Sequence, residues 1–266
     1  MTYVSRIVVF DLDETLGYFQ EYGIFWNSLN EYLLTNKKCT NCINENVFNQ
    51  ILDLYPEFIR PDILPILSYL KEKKIQGKCS KILIYTNNQA PKDWTKMIQN
   101  YFDKKLNYCL FDQIIGAFKI NGEIIEMCRT SNSKNINDLI CCTHLPVNIQ
   151  ICFIDDVLYP GMISENVYYI NIKPYSHHIS FEIMIDRFLN SKILHDEIKD
   201  KEKFKIDILN LMRKYKYNFH PKSNMDYTVD KILSKKILEH LHTFFKTNYP
   251  ETPKKNKKIN KTRKKI

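Results

Sequence analysis

The sequence predicts a three-layer α/β fold built on a parallel central sheet. Two observations carry that prediction. Short apolar, β-branched runs alternate along the chain with longer stretches of helical periodicity, the pattern of parallel strands joined by right-handed crossovers. Three of those runs end on polar residues able to do chemistry, Asp11, Thr86 and Asp155. The carboxyl ends of strands are where open α/β sheets bind their ligands.

Residues 3–10 are the first run, apolar enough to be buried on both faces of a sheet and ending at Asp11. Residues 17–60 are mixed, with helical stretches expected at 25–34 and 47–54 around a Cys- and Asn-rich turn at 36–46. Pro61 opens a helix over 62–74, with Ile63, Leu64, Ile66, Leu67 and Leu70 along one side. Gly77 breaks the chain before a second strand, 81–85, which ends at Thr86. A helix at 91–101 and a third strand at 111–115 follow. Asn121-Gly122 inside 117–127 predicts a hairpin with a tight turn. A helix over 133–142 leads to the fourth strand, 149–154, which ends at Asp155-Asp156, and the fifth is expected at 167–172. Beyond it, 181–194, 197–215 and 229–245 read as helices, with a break at His220-Pro221.

The expected organisation is a catalytic core over 1–179 with a small cap-like insertion near 17–60. A helical extension covers 180–249 and a disordered basic tail 250–266. The formal charge of +9 belongs mostly to that tail, where eight Lys or Arg stand between Lys254 and Ile266 without an acid. Removing them leaves 31 basic against 30 acidic side chains, a nearly neutral body. The tail suits solubility, nuclear targeting or salt-sensitive nucleic-acid contact. It has no interleaved aromatic residues for stacking on bases. No apolar leader precedes the first strand and no run is long enough to span a membrane. With eight scattered Cys, the expectation is an intracellular chain, cytoplasmic or nuclear, with reduced thiols and no membrane partner.

Four elements carry chemistry. In Asp11-Leu12-Asp13-Glu14-Thr15-Leu16, two carboxylates two residues apart follow a strand. Phosphoryl transfer to a carboxylate needs such a pair, one to attack phosphorus while ionised and one to protonate the leaving oxygen. Thr86-Asn87-Asn88 offers a hydroxyl and adjacent amides to phosphate oxygens. Lys134, expected at the start of a helix, can offset the charge of nucleophile and phosphate, with Arg129 a rival for that role. Asp155-Asp156 would repel each other without a cation between them and Asp11. An all-oxygen donor set points to Mg²⁺.

Together these elements resemble the haloacid dehalogenase (HAD) phosphatases. Asp11–Leu16 and the helix after Arg60-Pro61 look like the branch of NLI-interacting-factor-like, or CTD-type, phosphatases. The stretches 11–26, 85–89 and 151–156 are most similar to a form carried by large DNA viruses, which would place the protein in a host cell. The resemblance covers residues 5–175. It implies a HAD-like (Rossmannoid) fold and Mg²⁺-dependent hydrolysis of a phosphomonoester through a phospho-aspartate. Asp11 is then the nucleophile and Asp13 the general acid and base. Thr86 and the amide of Asn87 hold phosphate, and Lys134 stabilises charge. Mg²⁺ sits on Asp11, the backbone carbonyl of Asp13 and the pair Asp155 and Asp156, with the direct ligand of that pair left open. CTD-type enzymes have Thr-Ala where this chain has Thr86-Asn87-Asn88-Gln89, which looks more like polynucleotide or small-molecule HAD phosphatases. Because neither insertion is large enough for a full lid, the expected substrate is bulky, a phosphoprotein first. A nucleic-acid 3′-phosphate or a small metabolite is the enzymatic alternative. A binding module on a HAD scaffold is the non-enzymatic one.

Two other features admit competing readings. Cys39-Thr40-Asn41-Cys42 has zinc-ligand spacing, with Cys141, Cys142 and His144 as poorly spaced partners, so ordinary thiols are expected. His177-His178 follow the fifth strand, at the site mouth or, as the simpler reading, as a turn pair.

Overall fold

Residues 5–36, 43–146, 148–220 and 222–247 are described in a computed structural model of the protein, the side chain of Lys92 excepted. Five parallel strands form the central sheet: β1 (Arg6–Phe10), β2 (Lys81–Tyr85), β3 (Gln113–Ile115), β6 (Gln150–Asp155) and β7 (Val167–Asn171). A separate two-stranded hairpin joins β4 (Lys119–Ile120) to β5 (Glu123–Ile124) through the expected Asn121-Gly122 turn, both residues at positive φ. The sheet order is β3-β2-β1-β6-β7. The chain therefore builds outward from β1 on one side, then returns to β1's other side. That reversal makes the carboxyl end of β1 the topological switch point, where such sheets open a crevice.

The alternation of side chains along a strand assigns the core to two faces. Val8 and Phe10 of β1, with Ile82, Ile84, Cys152 and Ile154, join the larger apolar cluster. Ile7 and Val9, with Leu83, Tyr85, Ile151 and Phe153, join the smaller one. The smaller face is covered by α5 (Ile136–Thr143) through Leu139 and Cys142, and by Met162. The larger face is covered by α1 (Gln20–Thr35), α2 (Glu45–Leu52), α3 (Ile63–Ile75) and α4 (Lys92–Leu106), and by the C-terminal helices α6 (Phe181–Asn190), α7 (Lys201–Arg213) and α8 (Asn224–Lys246). Helices on both sides of the sheet give the three-layer α/β architecture the sequence predicts.

The C-terminal helices are built into that core. Phe188 stacks on Phe204, Tyr32 of α1 meets Phe204 edge-on, and Ile237, Leu241 and Phe244 are fully or almost fully buried. Their starts are capped as their sequences allow. The Ser180 side chain accepts from Ile183, that of Asp200 from Lys203, and Ser223 and Asp226 form a capping box. The tail expected to be disordered, 250–266, and the Cys39/Cys42 pair lie outside the described residues.

Two expectations change. Lys134 does not begin a helix, because α5 starts at Ile136 with Asn135 as its N-cap. Lys134 lies in the preceding loop, free of helical constraint. The thiols are not all reduced, since Cys128 and Cys142 form a disulfide with Cα atoms 5.1 Å apart. The return of the hairpin brings Cys128 against the last turn of α5, a proximity that spacing alone does not reveal. This bond also removes Cys142 from the candidate zinc partners. Among the described residues no helix is long and apolar enough to cross a membrane.

Candidate active site

β2, β1 and β6 are neighbours in the sheet, so Thr86, Asp11 and the pair Asp155-Asp156 emerge side by side at their carboxyl ends. Carboxylate oxygens of Asp11, Asp155 and Asp156 all lie within 4.8 Å of one another. Lys134 reaches into this cluster from the other face of the sheet. Its Nζ donates to Asp11 Oδ1 at 2.5 Å and to Asp155 Oδ2 at 2.6 Å, and only 1% of the side chain is exposed. Burial works against its charge, but the two carboxylates outweigh that and hold Lys134 above its ordinary pKa. It is a fixed ammonium, 5.2 Å from the centre of the Tyr159 ring.

With all three carboxylates ionised, one ammonium leaves the cluster two negative charges in excess. Burial raises Asp155, with Lys134 offsetting part of the shift, and burial also raises Asp156, with the charge on Asp11 adding to it. An all-oxygen set with a deficit of two positive charges fits a hard divalent cation. The two members of the pair differ in engagement. Asp155 accepts from Lys134 on one oxygen and from the Val157 amide on the other, at 2.8 Å. Asp156 accepts from Thr15 Oγ1, at 3.1 Å on Oδ1, and among the described residues no other residue donates to its carboxylate. Likewise nothing donates to Asp11 Oδ2.

Asp13 stands apart from the cluster. Its carboxylate accepts from Asn88 Nδ2 at 2.7 Å. Burial pushes its pKa up to about 6, against the lowering effect of the Asn88 bond. Such a group changes protonation near neutrality, as a proton-transfer residue must. The loop that carries it is held by devices the sequence reading did not single out. Arg60, 2% exposed, donates through Nε to Thr15 O at 2.6 Å and through Nη2 to Lys173 O at 2.9 Å and to Glu14 O. Glu14 sits at φ 56°, a left-handed conformation unusual for a non-glycine residue, with its amide bonded to Gly17 O. A Cβ on Gly17 would fall 2.5 Å from Phe58 O, so only glycine lets the loop close against that backbone.

The phosphate-binding candidates Thr86 and Asn87 follow the carboxyl end of β2. Thr86 is buried beside the cluster, its Oγ1 accepting from the Asn88 amide at 3.0 Å. The Asn87 backbone amide has no partner among the described residues, which leaves it available to an anion. Arg129, the rival cation, is a strut. It lies over the Tyr85 ring at 4.8 Å and donates to Thr86 O, Gly116 O, Asn132 O and Asn87 Oδ1. Its charge is spent holding the second element, and Lys134 is the cation of the site.

The two histidines lie elsewhere. His177 packs against Tyr227, while His178 bonds Glu21 at 2.7 Å and Tyr217 at 3.1 Å. Burial raises Glu21 to about 7 and lowers His178, so near neutrality the pair is held by a hydrogen bond more than by charge.

Asp13, Glu14 and Asn88 border a cavity of about 570 Å³ between α1, the start of α4 and the segment after α7. That volume is within the range of small-molecule sites. The sequence reading, expecting an open site, did not foresee it.

Compared with models of protein families, with curated proteins and with solved structures, the chain matches none.

Proposed function

We propose that the protein is a Mg²⁺-dependent phosphomonoester hydrolase of the HAD type, working through a phospho-aspartate. The observation that carries this reading is the Asp11–Lys134–Asp155 contact, a nucleophile candidate and a fixed ammonium 2.5 Å apart at the switch point of the sheet.

Asp11 Oδ2 attacks phosphorus in line, with the Lys134 ammonium beside Oδ1 offsetting negative charge on the carboxylate and the phosphate. The bond from phosphorus to the leaving oxygen breaks, and Asp13 delivers its proton to that oxygen. Thr86 Oγ1 and the Asn87 amide hold the non-bridging oxygens. In the second half, Asp13 removes a proton from water, whose oxygen attacks phosphorus. The bond to Asp11 breaks, releasing phosphate and restoring the carboxylate. Asp156, which keeps an oxygen free of any donor from another residue, would hold Mg²⁺ together with the Asp11 oxygen that does not attack and the Asp13 carbonyl. Asp155 instead positions Lys134 and the loop at Val157. When bound, the ion neutralises phosphate charge as the transition state forms. A non-enzymatic scaffold would be favoured by a Lys134 remote from Asp11, and the short contact removes that support.

The test is hydrolysis of p-nitrophenyl phosphate with Mg²⁺ and with EDTA, comparing wild type with Asp11→Asn. Activity should need Mg²⁺ and fall by several orders of magnitude in the variant. Equal rates in both proteins would overturn the assignment of Asp11.

A further inference from the structure

Asp13 borders a cavity large enough for a small molecule. This inference rests on the reading of Asp13 as general acid: the group that protonates the leaving oxygen faces the leaving group. Asp13 and Asn88 line the cavity, so the alcohol portion of a substrate protonated by Asp13 extends into it.

Its walls are aromatic. Tyr18, Phe19, Trp26, Trp94, Tyr215 and Tyr217 line it. The Trp94 ring is held rigidly, 5.6 Å from Phe48 edge-on and 5.8 Å from Tyr22. Tyr18 and Tyr217 are locked together by a 2.6 Å hydroxyl contact, which binds the C-terminal segment to the wall. Gly23 faces Trp94, whose ring lies 3.4 Å from where a Cβ would stand, so a helical position that gains nothing from glycine leaves room beside the indole. At the rim, the exposed amides of Gln20 and Asn27 offer donors and acceptors to a heteroatom edge. Three acids, Asp13, Glu14 and Asp93, line the cavity, and among the described residues lining it none is Lys or Arg.

From these features we propose that the substrate is a nucleoside monophosphate, its base stacked in the cavity between aromatic walls and its single phosphate at Asp11. Flat aromatic walls select a planar ring, since bases stack on such side chains whatever their sequence. Rim amides select a ring with hydrogen-bonding edges over a plain phenyl group. The acidic lining disfavours any second phosphate, and with it a diphosphate or a polynucleotide.

The protein carries a convenient reporter: both of its tryptophans, Trp26 and Trp94, line the cavity. The experiment titrates adenosine 5′-monophosphate into the full-length Asp11→Asn protein with Mg²⁺, following tryptophan emission excited at 295 nm. Ribose 5-phosphate, the same ester without the base, then competes, as do adenosine 5′-diphosphate and O-phospho-L-tyrosine. The expected result is saturable quenching by the monophosphate, with ribose 5-phosphate at least ten-fold weaker and the diphosphate weaker too. Gly23→Met, which fills the space beside Trp94 with a flexible helix-compatible side chain, should weaken the monophosphate ten-fold or more.

Absence of saturable quenching, or equal competition by ribose 5-phosphate, would overturn the proposal. Tighter displacement by phosphotyrosine would overturn it in favour of an aryl phosphate. Quenching needs no turnover, so the outcomes separate. Base-dependent quenching in Asp11→Asn beside a wild type that hydrolyses no monophosphate sinks the phosphatase reading, while wild-type hydrolysis indifferent to the base sinks this one.

Discussion

Lys134→Met removes the one ammonium from a cluster of three carboxylates within 4.8 Å. Methionine keeps most of the side-chain volume, so the change is chiefly in charge. At 2.5–2.6 Å each contact is worth roughly 6–7 kcal/mol of Coulomb attraction at an effective dielectric constant of 20. Part of that is offset because the buried ammonium no longer has to be desolvated. Breaking a buried pair from one side costs about 3–5 kcal/mol, and we expect a loss in that range at pH 7.5 in EDTA. With a urea dependence of about 3 kcal/mol per molar, the unfolding midpoint should fall by about 1–2 M. Two further responses are specific to the charge argument. Asp155, raised by burial, contributes stability in its protonated form that is lost as pH rises. Without Lys134 that loss grows, so the gap between variant and wild type should narrow at pH 5.5. Mg²⁺ should also recover more stability in the variant than in the wild type, because it replaces the missing positive charge. The assay is urea unfolding followed by circular dichroism at both pH values, with and without Mg²⁺. A midpoint equal to that of the wild type at pH 7.5 in EDTA would refute the charge balance described for the site.

Glu21→Gln tests the buried pair with His178. The wild-type Glu21, raised to about 7, contributes stability that is whole below its unfolded value of 4.5 and lost as pH rises through about 7. The loss is up to about 3 kcal/mol. Glutamine cannot ionise, so thermal melts at pH 5 and pH 8 should show the wild type losing ground to the variant, and parallel curves would count against the shift. Gly17→Ala forces a Cβ against Phe58 O and should displace the loop bearing Asp13. Activity is expected to drop at least ten-fold while far-ultraviolet circular dichroism is unchanged, and full activity would show that the loop tolerates the displacement. Cys128→Ser opens a closure spanning 14 residues in sequence and should cost about 2–3 kcal/mol in urea unfolding without reductant. Dithiothreitol should lower the wild type to the level of the variant and leave the variant where it is.

The chemistry of this chain is written close to its strands, and that is why so much of it could be read in one dimension. A residue that ends a buried strand has its place set by the strand itself, so Asp11, Thr86 and Asp155 were located by pattern alone. Their adjacency followed once β2, β1 and β6 proved to be neighbours. The hairpin turn and the capped helices were equally local. What the linear pattern left open depends on groups far apart in sequence. Lys134 and Arg129 are five positions apart and chemically similar, yet one reaches Asp11 across 123 residues and the other braces Thr86. The roles of Asp155 and Asp156 separate only through Lys134, Val157 and Thr15. The Cys128–Cys142 bond and the grip of Arg60 on Thr15 likewise depend on packing that no periodicity encodes. The cavity is the furthest from the sequence, for Tyr217 joins its wall through a contact with Tyr18 made across 199 residues. Strand ends were determined by sequence because hydrophobic burial is patterned locally. Which basic side chain meets Asp11, which carboxylate of the 155–156 pair keeps a free oxygen, and the shape of the cavity were decided by tertiary structure, because each is a distance between segments brought together only when the core closes.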